Sequence, residues 1–172
     1  MGLREETAEK HRIAEQKEFN QRMFRGELTN EEYIEYLKVQ LSIFSAIEDN
    51  FKLPHKGLKR YDKVMEDLGE LGQNVVFLHK NLDYANYLVT LDNETILPHI
   101  YLNYLALAFG GQMMKSKVPG SGRMYNFDNM MEAVGSIRAV QKDEWVDEVN
   151  KGFDFLIKIF DDLQNTVRPN GE

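Results

Sequence analysis

The sequence predicts an all-α, single-domain protein, on three observations. Nearly every segment repeats apolar residues at helical spacing, and no stretch alternates apolar and polar residues over more than four positions. The 4 prolines stand where a helix can begin or end. The 172 residues are 42% hydrophobic, enough for one sizeable core, and show no internal repeat or linker. We therefore expect one domain over residues 1–172.

The composition excludes several classes of protein. A net charge of −7 argues against a nucleic-acid-binding protein, because such proteins present a basic face. No apolar run reaches the roughly 18 residues of a membrane span, and the charged N-terminus MGLREETAEKHR has no signal-peptide core. The chain has 0 cysteines, which excludes disulfides and thiolate ligands. The expected location is cytoplasmic, without membrane contact.

The first half of the chain predicts two long helices and three short ones. Apolar residues spaced for a helix run through residues 3–25, and Gly26 ends that helix. A second, amphipathic helix is expected over about 30–52, with Thr29 or Asn30 as its cap and Glu32 near the capping-box position. Shorter helices are expected near 58–70, 73–79 and 81–91.

The central helix, expected over 94–116, contains the unusual step Gly110-Gly111. A glycine inside a helix costs about 1 kcal/mol relative to alanine, so two adjacent glycines need a local reason. The backbone either kinks against a flat, bulky group, or one helix simply ends there and another begins. After a turn-rich loop at 118–123, helices are expected over 127–139 and 142–167.

Among the four histidines, His11 has the most informative surroundings. Its helix-face neighbours Ala8 and Ala14 are small, and Glu15 lies one turn later. A carboxylate at that spacing can hold one ring nitrogen while the other ligates a metal; the alternative is an ordinary surface histidine. His55 and His79 fall in or beside loops, and His99 is expected at a helix terminus.

A histidine with small neighbours on one helix and a Gly-Gly step on another can sandwich a heme. In these segments the chain resembles the heme oxygenase family. LREETAEKHRIAEQKEFNQRMFRGELTNEEY is similar to that family's first helix, and PHIYLNYLALAFGGQMMKSK to its distal helix. FDFLIKIFDDLQ is similar to the last core helix. The resemblance spans most of the chain and implies a heme-oxygenase-like helical bundle.

The resemblance also implies roles for individual residues. His11 would ligate the heme iron, with Glu15 bonding this histidine, and the backbone of Gly110 and Gly111 would shape the oxygen site. The other residues implied to contact heme are Arg4 and Tyr101 at the propionates, Arg138 as a second propionate partner, and Phe153 and Phe160 beside the ring.

One departure from the family bears on catalysis. Where the family usually has Gly-Asp-Leu-Ser, this chain has Ala106-Leu107-Ala108-Phe109. The family's aspartate anchors a distal water network that supplies protons, and Leu107 can hold no water. The catalytic group is therefore unknown, and Phe109 in place of serine makes the distal side bulkier and drier.

Three functions remain open. The first is a heme oxygenase, which uses dioxygen and external electrons to convert heme to biliverdin, carbon monoxide and ferrous iron. Its electron donor would be an acidic, ferredoxin-like protein at Lys115, Lys117 and Arg123. The second is a non-catalytic heme-binding or heme-sensing protein. The third is a heme-free relative such as a thiaminase-like or di-iron enzyme, although no Glu-x-x-His pair for a di-iron site occurs.

A second basic segment lies at residues 52–63. Such a segment can dock an acidic partner or form an ordinary solvated surface. Its cations are Lys52, Lys56, Lys59, Arg60 and Lys63.

Overall fold

The computed structural model describes residues 2–74 and 82–166, and all regular structure in that part is helical. This confirms the all-α prediction for those residues. The helices are α1 (Leu3–Glu6), α2 (Ala8–Glu15), α3 (Glu18–Phe24), α4 (Asn30–Glu48), α5 (Tyr61–Glu70), α6 (Asp83–Leu88), α7 (Leu97–Ala108), α8 (Met130–Arg138) and α9 (Val146–Thr166). Short 3-10 turns occur at Lys56–Leu58, Gly110–Met113, Arg123–Tyr125 and Asp143–Trp145.

The first helix is broken where the sequence predicts one continuous helix over 3–25. The Thr7 hydroxyl donates to the Leu3 carbonyl at 2.9 Å, a local bond that competes with helix propagation. Lys17 then takes an extended conformation, with φ −62° and ψ 139°, and turns the chain into α3. These two local features separate α1, α2 and α3.

The segments α2 and α3 run parallel to α9. Two ion pairs set the register, Lys10 with Asp154 at 2.6 Å and Lys17 with Asp161 at 3.1 Å. From the first pair to the second, both partners move two helical turns along the chain. The N-terminal segment therefore lies along the last helix.

The start of α4 confirms the predicted cap. Thr29 accepts from the Glu32 backbone N–H at 3.1 Å, and Glu32 returns a bond to the Thr29 N–H at 2.9 Å. The Arg22 guanidinium donates two hydrogen bonds to the same carboxylate, at 2.5 and 2.6 Å. The helix ends at Glu48 rather than near residue 52. All of its apolar side chains after Glu35 enter the main core.

The structure corrects the predicted basic segment at one residue. Arg60 is only 2% exposed, and its guanidinium donates to the carbonyls of Met124 at 2.9 Å and Asn126 at 2.6 Å. The guanidinium also lies 3.7 Å from the centre of the Phe127 ring, and burial lowers the Arg60 pKa to about 10. Arg60 therefore joins two loops inside the protein and offers no charge to a partner. The exposed lysines of the segment are Lys52, Lys56 and Lys59.

The remaining helices are mostly shorter than expected. The helix expected at 73–79, with His79, falls mainly outside the described residues. Helix α7 begins three residues later than predicted and ends at Ala108, not at 116. Within the described ranges, no helix is long and apolar enough to cross a membrane.

Candidate functional site

His11 stands on the outer face of α2 with its imidazole held on two sides. Its Nε2 lies 2.9 Å from the Glu15 carboxylate, and the two side chains are 60% and 49% exposed. The ring stacks on Phe153 of α9, with centroids 5.4 Å apart and planes 20° apart. Among the described residues, the Glu15 carboxylate is the only close polar partner of the ring, and it leaves Nδ1 free. A metal-ligating histidine needs one nitrogen held and the other free, and this ring has both.

A groove of about 530 Å³ opens beside this imidazole. Arg12 on its wall is engaged by Glu9 at 2.5 and 3.1 Å and by Gln16 at 2.8 Å. Arg4 is exposed and forms no ion pair with a described residue, so it remains available to an anion. The residues lining the groove are Arg4, Ala8, His11, Arg12, Glu15, Gln16 and Gln21.

Three helices meet in a small apolar cluster behind His11. Phe153 of α9 packs there with Ala14 of α2 and Leu102 of α7. Tyr101 lies against the cluster, with its ring 6.1 Å from that of Trp145 and nearly perpendicular to it. The cluster thus connects the histidine to the helix that carries the glycines.

The C-terminal end of α7 continues from this cluster as an open face. Leu102, Ala106 and Gly110 follow at helical spacing, and the last two are exposed. A Cβ added to Gly110 would meet no atom within 4 Å. The helix ends because Phe109 leaves it, with φ −104° and ψ −85°. Small residues and a backbone break therefore leave room for a flat group.

Gly111 has a different explanation from Gly110. A Cβ on Gly111 would lie 2.7 Å from Cδ1 of the buried Tyr125 ring. The Gln112 side-chain amide fixes this approach by donating to the carbonyls of Leu107 at 3.2 Å and Tyr125 at 2.6 Å. Of the two explanations for the glycine pair, the structure shows the helix end, and contact with a flat ligand stays a prediction. The helix does end, and only Gly110 faces open space.

Other predicted site residues lie away from the groove. Phe160 is 9% exposed and packs near Phe19 and Tyr36, at 6.5 and 6.4 Å, because it follows Phe153 by two turns and faces α3. Leu107 is 4% exposed in the main core. Arg138 ends α8 and lies over Phe109, 5.5 Å from its ring centre. Their roles at a heme stay predictions.

A buried polar network around His99 was not predicted. His99 is fully buried near the start of α7, and its Nδ1 lies 2.7 Å from the Tyr84 hydroxyl. Asn103 donates to that hydroxyl at 2.9 Å, so the Tyr84 proton is directed to Nδ1. The other nitrogen, Nε2, faces Glu148 at 3.5 Å, and Tyr87 donates to the same carboxylate at 3.0 Å.

Burial determines the charge states in this network. It lowers the pKa of His99, an effect that the nearby Glu148 carboxylate partly opposes. Burial and the bond to Glu148 raise the pKa of Tyr87 to about 12. The members come from α6, α7 and α9, so no sequence spacing connects them. The one local signal is Gly152, where a Cβ would lie 2.5 Å from Leu102 and 3.1 Å from His99.

In the described parts of the chain, no group of three or more His, Asp or Glu side chains could hold a metal ion. The di-iron alternative therefore has no ligand set there.

Comparisons with known proteins agree with this architecture. The family model described as Heme oxygenase matches residues 1–162. No curated protein sequence matches the chain.

Solved structures show the same fold. Heme oxygenase-1 from the cyanobacterium Synechocystis sp. PCC6803, in complex with heme, aligns with a TM-score of 0.80 at 21% identity, over 95% of this chain and 91% of that chain. Heme oxygenase-2 from Synechocystis sp. PCC 6803, with heme and NO, gives 0.79 at 22% identity, over 95% and 84%. Heme oxygenase from Leptospira interrogans gives 0.79 at 21% identity, over 93% and 98%. With the family model matched over nearly its whole length, the chain belongs to the heme oxygenase family.

Proposed function

We propose that this protein is a heme oxygenase. It binds heme and, with dioxygen and external electrons, cleaves it to biliverdin, carbon monoxide and ferrous iron. The observation that carries the proposal is the His11 imidazole, exposed on α2 yet held by Glu15 at 2.9 Å and by the Phe153 ring at 5.4 Å. Together these contacts orient the imidazole, as a metal-ligating histidine requires. The Synechocystis proteins of the same fold were solved as heme complexes, which supports heme binding by this chain.

The residues around His11 fit a heme. His11 would hold the iron, and the free cation of Arg4 suits a propionate carboxylate. Ala106 and Gly110 leave an uncrowded face, since a Cβ on Gly110 meets nothing within 4 Å. The bound heme supplies the redox chemistry of dioxygen activation. The chain itself orients the ring and excludes water with Leu102 and Phe153. Tyr101 and Arg138 as propionate partners are part of the proposal.

A non-catalytic heme-binding or heme-sensing protein is the second candidate, and Leu107 favours it. This side chain is 4% exposed and offers no hydrogen bond where the family usually has aspartate. Asn103, one turn earlier, already donates to Tyr84 and to the His99 carbonyl, both at 2.9 Å. The Tyr104 hydroxyl donates to Glu48 at 2.9 Å, so from 103 to 108 no described side-chain donor is free.

An acidic electron donor such as ferredoxin is the proposed partner, in a cytoplasmic setting without nucleic acid or membrane. Lys115 and Lys117, after the end of α7, are exposed and form no ion pair with described residues. Arg123 is already paired with Glu70 at 3.6 Å. Of the three cations predicted to receive the donor, the two lysines are therefore more available to an acidic surface than Arg123.

Hemin binding and turnover test the two candidates. Hemin added to the purified protein should produce a Soret band typical of histidine ligation, and His11→Ala should lose it. His55→Ala, which removes a histidine from the loop after α4, is the matched control and should keep it. If His11→Ala retains the wild-type spectrum, the ligand assignment is wrong.

Adding ferredoxin or ascorbate in air then separates the candidates. Loss of the Soret band with growth of a biliverdin band supports the oxygenase. A Soret band that persists under reduction supports the non-catalytic protein. No Soret shift on adding hemin would overturn both.

A further inference from the structure

Two large apolar side chains stand exposed around the end of α7. Phe109 is 51% exposed and Met113 is 65% exposed, on either side of Gly110. Phe109 terminates the helix, and its carbonyl accepts only the 3-10 bond from Gln112 at 3.1 Å. An aromatic ring left half in water loses about half of the stabilisation that burial would provide. The ring is therefore positioned to gain apolar contact when another group covers it.

The guanidinium of Arg138 holds this ring on the side of α8. It lies 5.5 Å from the ring centre, and its Nη1 donates to Gln141 at 2.7 Å. Arg138 is exposed and makes no ion pair with any residue in the described ranges. A cation–π contact at an exposed site is weak, so the guanidinium can leave the ring for a carboxylate.

Helical spacing places Phe109 on the face proposed for heme. Positions 102, 106 and 109 follow at intervals of four and three, so the Phe109 side chain emerges above Leu102 and Ala106. Ala106 beneath it is exposed, and Gly110 beside it is open. The Phe109 ring is thus a bulky group beside the small residues Ala106 and Gly110.

We propose that Phe109, held by Arg138, is a gate over the oxygen-binding side of the heme. This inference rests on the proposed function, because it needs heme on the face of Ala106 and Gly110. The ring packs over the macrocycle and narrows the approach to the iron. Diatomic ligands pass, whereas planar or larger ligands are excluded. Phe109 therefore determines ligand size and keeps the site dry, which a serine at this position cannot do.

Ligand binding to the hemin-loaded protein tests the gate without turnover. In the wild type, ferric heme should bind cyanide readily and imidazole poorly. Phe109→Ser should raise imidazole affinity by about tenfold or more, a change typical of altering the volume of a binding pocket. Cyanide affinity should change by less than about threefold, because a diatomic ligand is not hindered. Phe109→Leu should fall between serine and wild type.

Two further variants test whether the change in imidazole affinity depends on the contact between Arg138 and Phe109. Arg138→Gln removes the cation that holds the ring and should raise imidazole affinity, by less than Phe109→Ser does. Met131→Ser is the matched control, since Met131 is 90% exposed on α8, and it should leave both affinities unchanged. Equal changes for imidazole and cyanide, or no change for either, would overturn the gate.

Hemin affinity separates failure of the gate from failure of the proposed function. Trp145 is the single tryptophan and lies 6.1 Å from Tyr101, so its quenching reports hemin binding in every variant. If the wild type binds no hemin, the proposed function fails. If it binds hemin through His11 and Phe109→Ser leaves ligand selectivity unchanged, the gate alone fails. Phe109→Ser that binds hemin with the wild-type Soret band and a relaxed selectivity confirms it.

Discussion

The two ends of α7 differ in almost every physical respect. At the N-terminal end, His99 is fully buried and Asn103 is 6% exposed, and both have hydrogen-bond partners on neighbouring helices. At the C-terminal end, one face is open: Ala106, Phe109 and Gly110 are exposed, and a Cβ on Gly110 would meet no atom within 4 Å. The N-terminal end therefore fixes α7 in the fold, and we call it the secured end. The C-terminal end is available for binding, and we call it the open end. A site on a helix fixed elsewhere can stay open without weakening the fold.

The largest expected effect comes from overpacking the secured end. A Cβ at Gly152 would lie 2.5 Å from the Leu102 methyl and 3.1 Å from both His99 Nδ1 and the Tyr84 hydroxyl. Gly152→Ala should therefore lower the free energy of unfolding by about 3 kcal/mol, the upper end for overpacking. Urea denaturation measures this change.

Gly135→Ala is the matched control for that substitution. Gly135 lies inside α8, and its added Cβ would meet no atom within 4 Å. Alanine there should stabilise the protein by up to about 1 kcal/mol through helix propensity. If both alanines have the same effect, the secured end is not tightly packed, and the comparison of the two ends fails.

The second-largest effect should distinguish Gly110 from Gly111 at the open end of α7. Gly111→Ala would bring a Cβ to 2.7 Å from the buried Tyr125 ring and should cost about 2 kcal/mol. Gly110→Ala meets nothing and should leave the free energy of unfolding nearly unchanged. It should instead weaken hemin binding, because the methyl group enters the open face. Denaturation and hemin titration of both variants check this. A Gly110→Ala variant that is unstable but binds hemin normally would contradict the assignment.

A smaller effect follows from removing a single hydroxyl. Tyr84→Phe keeps the ring stacked on Phe155, at 4.9 Å, but leaves His99 Nδ1 without its partner. Leaving a buried polar atom unpaired costs about 1–2 kcal/mol. Urea denaturation should show that loss, while the Soret spectrum with hemin stays unchanged, since Tyr84 does not line the groove. A change in the Soret band would connect the secured end directly to the site.

The sequence could predict the features of this molecule that depend on residues close together in the chain. The helical periodicity, the Thr29–Glu32 cap and the single turn from His11 to Glu15 all depend on neighbouring residues. The breaks at Thr7 and Lys17 were missed because apolar spacing continues across them. The burial of Arg60 was missed because its carbonyl partners at 124 and 126 are distant in the chain.

The residues of the candidate site differ in the same way. His11 and Gly110 could be recognised from their own neighbours. Phe160, expected beside the heme with Phe153, lies two turns further along α9 and packs near Phe19, and its role at a heme stays a prediction. The His99 network needs α6, α7 and α9 together, so only the packed chain reveals it.

The smallest expected effect is a pH dependence from the secured end. Burial lowers the pKa of His99 from its ordinary value of 6.5, although Glu148 opposes this. The groups around it are Tyr84 and Tyr87 on α6, Asn103 on α7, and Glu148 and Lys151 on α9. Below pH 6.5 the unfolded chain binds a proton at this histidine more readily than the folded protein does. The stability that neutral His99 contributes is therefore complete above pH 6.5 and is lost as the pH falls from there through the lowered pKa of the folded protein.

Comparing wild type with His99→Gln isolates that contribution, because glutamine can still accept from the Tyr84 hydroxyl but does not titrate. Between about pH 7.5 and pH 5.5, the wild type should lose more of its free energy of unfolding than His99→Gln, as followed by urea denaturation. Carboxylates whose pKa burial raises, such as Glu48, contribute equally to both proteins and cancel. Equal losses in the two proteins would mean that His99 is not held neutral by burial. The secured end would then be able to admit a charge, and the distinction between the two ends of α7 would be one of packing alone.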